Sequence, residues 1–129
     1  MKLLLLTMIL STYSFCDFSI FISQNNKLTK VSNEDLANLY LKKTNTINGI
    51  EVIPIDSKNK EVFQEFYEKI VKKTPSQLHA YWMKQIYTGD TQPPKKLSKN
   101  ELKQAMIIEP KIIAYSCDIK NARILLTIK

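Results

Sequence analysis

IEVIPIDSKNKEVFQEFYEKIV, residues 50–71, joins an apolar run to a helical pattern through five polar residues. Ile50–Ile55 reads as a strand, stiffened by the β-branched Val52 and Ile53. Pro54 has no N–H to give a neighbour, which places it near an end or an edge. Asp56, Ser57, Lys58, Asn59 and Lys60 form the connection. Val62, Phe63, Phe66, Tyr67, Ile70 and Val71 then recur at helical spacing. A strand that opens through a short polar turn into an amphipathic helix is the unit of an α/β fold.

The flanks extend this pattern in both directions. Upstream, residues 17–23 (DFSIFIS) alternate Phe18, Ile20 and Ile22 with Ser19, Phe21 and Ser23, a strand signal. Gln24, Asn25 and Asn26 end it with turn chemistry. Ser32-Asn33-Glu34-Asp35 is a capping-box-like start. Leu36, Leu39 and Tyr40 continue as a helix that ends near Lys43, and Asn48-Gly49 marks a turn. Downstream, Thr74-Pro75-Ser76-Gln77 offers a cap, a first-turn proline and a glutamine three residues after the cap. Leu78, Tyr81, Trp82 and Ile86 form the apolar stripe of that helix, and Gly89 suits a left-handed stop. TQPPKK, residues 91–96, reads as a rigid linker. Ser98-Lys99-Asn100-Glu101 opens a further helix that Pro110 ends. Ile112–Cys117 and Ala122–Ile128 read as strands. The order β-α-β-α-α-α-β-β predicts an α/β sandwich, a mixed central sheet flanked by helices.

Composition narrows the function classes. The chain has 129 residues and a formal charge of +7, with only 2 glycines and 5 prolines, which excludes collagen-like or glycine-rich chains. One histidine, His79, excludes a multi-histidine metal site. Residues 1–16, MKLLLLTMILSTYSFC, carry Lys2 ahead of an unbroken apolar run from Leu3 to Leu10, then polar Ser11, Thr12 and Ser14. That is the shape of a signal peptide, and the run is well short of the ~20 residues a permanent span needs. The expected organisation is a leader over 1–16 and one domain over 17–129. Phe15 fits poorly before a lipidated cysteine, so lipidation of Cys16 is the minor alternative to simple cleavage. Export places the domain in a periplasm, with no stable membrane span after cleavage and Cys117 as an inert core thiol. It also argues against nucleic acid as partner despite the basic charge.

No catalytic constellation is visible. His79 stands alone between Leu78 and Ala80 in a helix. Both glycines are single turn residues, so no glycine-rich phosphate loop exists. Glu65–Lys69 and Glu68–Lys72 read as solvated pairs one helical turn apart. Tyr81, Trp82 and Tyr87 fit core packing better than a ligand platform. The chain is expected to be neither an enzyme nor a metal or cofactor protein. The Asp56–Lys60 junction is the most suggestive feature, since a helix start presents unpaired N–H groups and partial positive charge. It reads equally as an anion site, helped by two lysines and a serine, or as an ordinary turn capped by Asp56, Ser57 or Asn59.

Pro75-Ser76-Gln77-Leu78-His79-Ala80-Tyr81-Trp82, then Tyr87-Thr88-Gly89 and Gln92-Pro93-Pro94, resembles the small single-domain relatives of phosphate ABC transporter substrate-binding proteins. The stretch from Leu28 through Leu36 to Lys43 resembles their L-x-x-I-F-L-G-K helix end. Ile53-Pro54-Ile55-Asp56 resembles a V-x-P-V-D strand, Phe63–Ile70 an F-x-x-x-V helix, and Ile112-Ile113-Ala114-Tyr115 a G-A-I-G-Y strand. The likeness spans about residues 18–117. It implies one lobe of a type II periplasmic binding fold that takes up phosphate or a similar oxyanion in association with transport. The ligand-binding residues it implies, together with the basic junction, are Ser23, Gln24 and Asn25 after the first strand and Ser57, Lys58, Asn59 and Lys60 at the helix start.

In larger relatives the second-lobe loop carries Arg-Ser-x-x-Ser-Gly-Thr, and here only Ser57 matches it. A few exposed hydrogen bonds at about 0.5–1.5 kcal/mol each reach only millimolar affinity, near −4.1 kcal/mol. Tight capture therefore needs a second lobe from a homodimer or another protein. The missing Ser-Gly-Thr motivates a second expectation: a non-enzymatic interaction module of the cell envelope that has lost the small-molecule site.

Overall fold

The computed structural model describes residues 18–89, 91–116 and 122–128. The expected leader, Cys16 and Cys117 lie outside the described residues. The elements are β1 (Phe18–Ser23), α1 (Asn33–Tyr40), β2 (Thr46–Ile47), β3 (Ile50–Glu51), β4 (Ile53–Ser57), α2 (Lys60–Phe66), α3 (Pro75–Thr88), β5 (Lys95–Leu97), α4 (Lys99–Ile108), β6 (Ile112–Ser116) and β7 (Ala122–Ile128). A five-stranded sheet runs β5-β4-β6-β1-β7. β4 is parallel to β5 and β6, whereas β1 is antiparallel to β6 and β7. The sheet is mixed and flanked by helices, as the alternation of strand and helix signals requires.

Both faces of the sheet are covered. Ile20, Ile22, Ile113 and Tyr115 pack with Leu36, Leu39 and Tyr40 of α1, Phe66 of α2 and Leu78 and Trp82 of α3. Phe21, Ile55, Ile112 and Ala114 point the other way, against Leu102 and Met106 of α4. Successive strand residues face opposite sides, so a continuous apolar run such as Ile20-Phe21-Ile22 marks a strand buried on both.

Four local expectations are corrected. The apolar run 50–55 is not one strand. Ile50–Glu51 pairs with Thr46–Ile47 in a hairpin closed by Asn48 (φ 51) and Gly49 (φ 79), and β4 begins only at Ile53. Paired left-handed residues at a two-residue turn twist the strands together and favour Asn-Gly. Pro54 is tolerated because β5 pairs with β4 only from Ile55 on, leaving β4 an edge strand at that point. Residues 91–96 are not all linker. Lys95 and Lys96 belong to β5, a short lysine-bearing edge strand of the kind that resists further pairing. Gly89 is extended (φ −166), not left-handed, while Lys42 and Lys72 (φ 61 and 59) take the left-handed positions after their helical segments. Lys42 in that conformation stops α1 at Tyr40, with Leu41 as its cap, short of the expected Lys43.

The second helix also changes form. It is α-helical to Phe66 and then winds as a π-helical turn over Tyr67–Val71. Tyr67, Ile70 and Val71 in that turn are all buried.

Candidate functional site

Parallel strands finish at the same edge of a sheet. Here the chain leaves β4 at Ser57 to start α2 and leaves β5 at Leu97 to start α4. The two helix starts, with the end of β6, enclose a cleft of about 420 Å³ lined by Ser57, Lys58, Asn59, Ser98, Tyr115 and Ser116 among others. A second hollow of about 370 Å³ opens beside it, shares Ser57 and Lys58, and adds Lys60, Phe63 and Lys96. The Lys96 Nζ lies 4.4 Å from the Phe63 ring centre, a cation–π contact.

Each start is capped by its own residues. Asn59 is the cap of α2, its Oδ1 accepting from the Val62 N–H at 3.1 Å. The Ser57 Oγ accepts from the Asn59 N–H at 3.0 Å. The Ser57 N–H donates to the Tyr115 Oη at 3.2 Å, and the Lys58 N–H to the Leu97 carbonyl at 3.1 Å. Among the described residues, this leaves the N–H groups of Lys60 and Glu61 without a protein acceptor at the head of α2. At α4, Ser98 and Glu101 form the expected capping box. The Lys58 Nζ reaches across to the Glu101 Oε1 at 2.6 Å and ties the two starts together. That bond, with the Ser98 N–H behind it, lowers the Glu101 carboxyl to about 2. Both side chains are about half exposed, so the pair adds little to stability.

Beneath the cleft lies Asp56, only 3% exposed and the buried charged residue of the described core. Its Oδ1 accepts from the Tyr115 hydroxyl at 2.8 Å and its Oδ2 from the Tyr67 hydroxyl at 2.9 Å. Burial raises its pKa to about 7, against the lowering effect of the two tyrosine hydrogen bonds and, more weakly, of Lys96 and Lys42. The same burial, with the carboxylate nearby, pushes Tyr67 and Tyr115 far above the usual phenol range. Tyr40 is also pushed up, by burial first. Its hydroxyl lies 3.0 Å from the Ile55 carbonyl and 3.1 Å from that of Ile113, so it clasps β4 to β6. Phe66 stacks on Tyr115 with ring centres 3.9 Å apart, which fixes the ring that serves both Asp56 and Ser57.

The seven expected ligand-binding residues do not form one site. Ser57, Lys58 and Asn59 line the cleft, and Lys60 lines the adjoining hollow. Ser23, Gln24 and Asn25 are at the opposite edge of the sheet. β1 is antiparallel to β6, with Ser19 opposite Ser116 and Ile22 opposite Ile113, whereas β4 runs parallel with Ile53 beside Ile112. The end of β1 therefore sits level with the start of β4, about 13 Å from Ser57 along the strand direction at the usual rise per strand residue and two strands to the side. There Ser23 Oγ accepts from the Asn25 N–H at 3.3 Å, and the Asn26 side chain donates to the Pro110 carbonyl at 2.9 Å. This end of β1 closes in a hydrogen-bonded turn, apart from the cleft.

Other expectations fall into place more simply. His79 is exposed and Trp82 is buried. The Tyr81 hydroxyl donates to the Leu41 carbonyl at 2.6 Å, and Glu65 pairs with Lys69 at 2.6 Å. Tyr87 is 92% exposed and so is not part of that core. Among the described residues, no three His, Cys, Asp or Glu gather as metal ligands, and no helix is long and apolar enough to cross a membrane. Sequence reasoning missed the tyrosine pair on Asp56. The available signal was a carboxylate directly after an apolar strand, where a charge needs partners.

No family model matches the chain, and no curated protein matches it in sequence. Solved structures do. One is a phosphate ABC transporter substrate-binding protein with bound phosphate from Clostridium perfringens, with a TM-score of 0.63 at 12% identity over 84% of this chain and 44% of that one. The chain has the fold of about half of a phosphate ABC transporter substrate-binding protein. An ABC-type phosphate transport receptor from Vibrio cholerae matches similarly, with a TM-score of 0.61 at 12% identity over 84% of this chain and 45% of that one. The chain thus spans less than half the length of either. The architecture agrees with the sequence resemblance, and at this identity the likeness is one of fold.

Proposed function

We propose that the chain binds a small oxyanion, phosphate or an anion of like shape and charge, weakly and without catalysis, as an exported domain associated with transport. The observation that carries this reading is the meeting of two helix starts, Lys58 and three serines at the end of two parallel strands. Open α/β sheets take ligands at that edge, and the fold is shared with a protein that holds phosphate. Ser57, Lys58, Ser98 and Ser116 supply the polar lining, with Lys60 beside them. Asn59 serves by holding the start of α2 in place. Few free N–H donors and a largely open cleft limit affinity to the millimolar range. The leader over residues 1–16 would deliver the domain to the periplasm.

Titration with phosphate and with sulfate, followed by backbone amide NMR, tests this. Saturable millimolar shifts at Ser57–Glu61 and Ser98–Asn100 are expected. Shifts spread evenly over the surface, or none, remove the reading.

A second reading is favoured by the self-capped start of α2 and by exposed apolar side chains, notably Ile107 and Ile108 at 83% each. In it, the chain is an interaction module for an envelope protein or a second copy of itself. Crosslinking in intact cells distinguishes it: a crosslink through α4 that Lys58→Glu leaves intact supports docking independent of the anion cleft.

A further inference from the structure

Asp56 is absorbed neither by the capping of the helices nor by the lysine-lined cleft. It contributes to the cleft wall, and through Tyr115 it touches the Ser57 N–H, the first backbone donor of the junction. A negative charge here acts against the anion the cleft is proposed to take. The groups that face it are Tyr40 of α1, Lys42 just after α1, Tyr67 of the π-helical turn, Lys96 of β5 and Tyr115 of β6. Neither lysine forms an ion pair with it, and both tyrosines can only donate one proton each. Among the described residues the carboxylate is therefore buried without a bonded counter-charge, an arrangement in which keeping the charge is costly.

We propose that Asp56 is a charge switch beneath the oxyanion cleft: ionised it weakens anion binding, and protonated it permits it. This rests on the oxyanion reading above and adds its regulation. Ionised Asp56 accepts from both tyrosines and places a full negative charge behind Ser57. A protonated carboxyl must itself donate, so one tyrosine has to turn from donor to acceptor, and the negative charge is gone. Burial raises the carboxyl to about 7, so the change falls in the neutral range. His79 is exposed on α3 and is not among the groups that face Asp56.

Sulfate is the probe, because it keeps its charge over this range while phosphate does not. Sulfate affinity of the full chain is measured from about pH 5.5 to about pH 8.5, alongside the Asp56 carboxyl carbon shift without ligand, which reports its protonation directly. Wild-type affinity should fall on the order of tenfold as pH rises, with a midpoint that tracks the carbon titration. Asp56→Asn should bind with the acid-form affinity at every pH, and His79→Gln should behave as wild type. Measurable sulfate binding that stays flat while the carbon titrates overturns the switch and leaves the oxyanion site standing. A carboxyl carbon that shows Asp56 ionised throughout also overturns it. No binding by either protein at any pH removes the oxyanion reading and the switch together.

Discussion

Replacing Asp56 with Asn should make the protein more stable in mild alkali. The folded carboxyl lies at about 7 and its ordinary value is 3.8. Below 3.8 both states hold the proton and the group has no effect on the pH dependence. Between 3.8 and 7 the folded state keeps a proton that the unfolded state has lost, so stability falls as pH rises through this window and is level above it. At about 1.4 kcal/mol for each pH unit, the gap amounts to about 4 kcal/mol lost by pH 8. Asn carries no charge and escapes this loss. Its amide must donate where the carboxylate accepted, so one tyrosine hydroxyl has to reorient, at a cost of about 1 kcal/mol. The net expectation is a variant about 2–3 kcal/mol more stable at pH 8 and equal or slightly weaker at pH 4. Urea unfolding followed by the fluorescence of buried Trp82 reads both proteins across this range. All other titrating groups are shared, so the difference between the two curves isolates Asp56. Parallel curves, or a variant less stable at pH 8, would refute the reasoning.

Further expectations follow from the packing and the caps. Phe66→Ala should cost about 3–5 kcal/mol in urea unfolding, because the ring is fully buried between Tyr40 and Tyr115. Tyr40→Phe should cost about 1 kcal/mol, as it leaves the ring but removes the clasp on the Ile55 and Ile113 carbonyls. Ser98→Ala removes the acceptor for the Glu101 N–H and should cost about 1 kcal/mol, with amide exchange quickening first in α4. Gly49→Ala meets no neighbouring atom but must hold a φ of +79, so a loss of about 1 kcal/mol is expected from backbone strain alone.

The helices were legible because their signals are local. Ser32, Thr74 and Ser98 all form the capping boxes their sequences announce, since a cap needs only a side chain three residues from its donor. The strands were legible where apolar residues ran without interruption. Boundaries failed where the deciding partner is distant. Nothing between Ile50 and Ile55 says that the first two residues belong to a hairpin and the rest to the central sheet. Lys95 and Lys96 carry no strand pattern of their own, and they extend only because β4 offers them an edge. The ligand site divided for the same reason. The polar turn after β1 and the polar junction after β4 look alike in sequence.

The chain by itself determined the fold class, the helix starts and the basic junction, because periodicity and capping act over a few residues. The tertiary structure alone decided strand direction and the company of Asp56. By setting β1 antiparallel it sent Ser23, Gln24 and Asn25 to the far edge. By folding Tyr67 and Tyr115 onto one carboxylate it placed a titratable charge under the cleft. Hydrogen-bond partners 11 and 59 residues away along the chain are matched only when the sheet closes, and no local pattern can encode them.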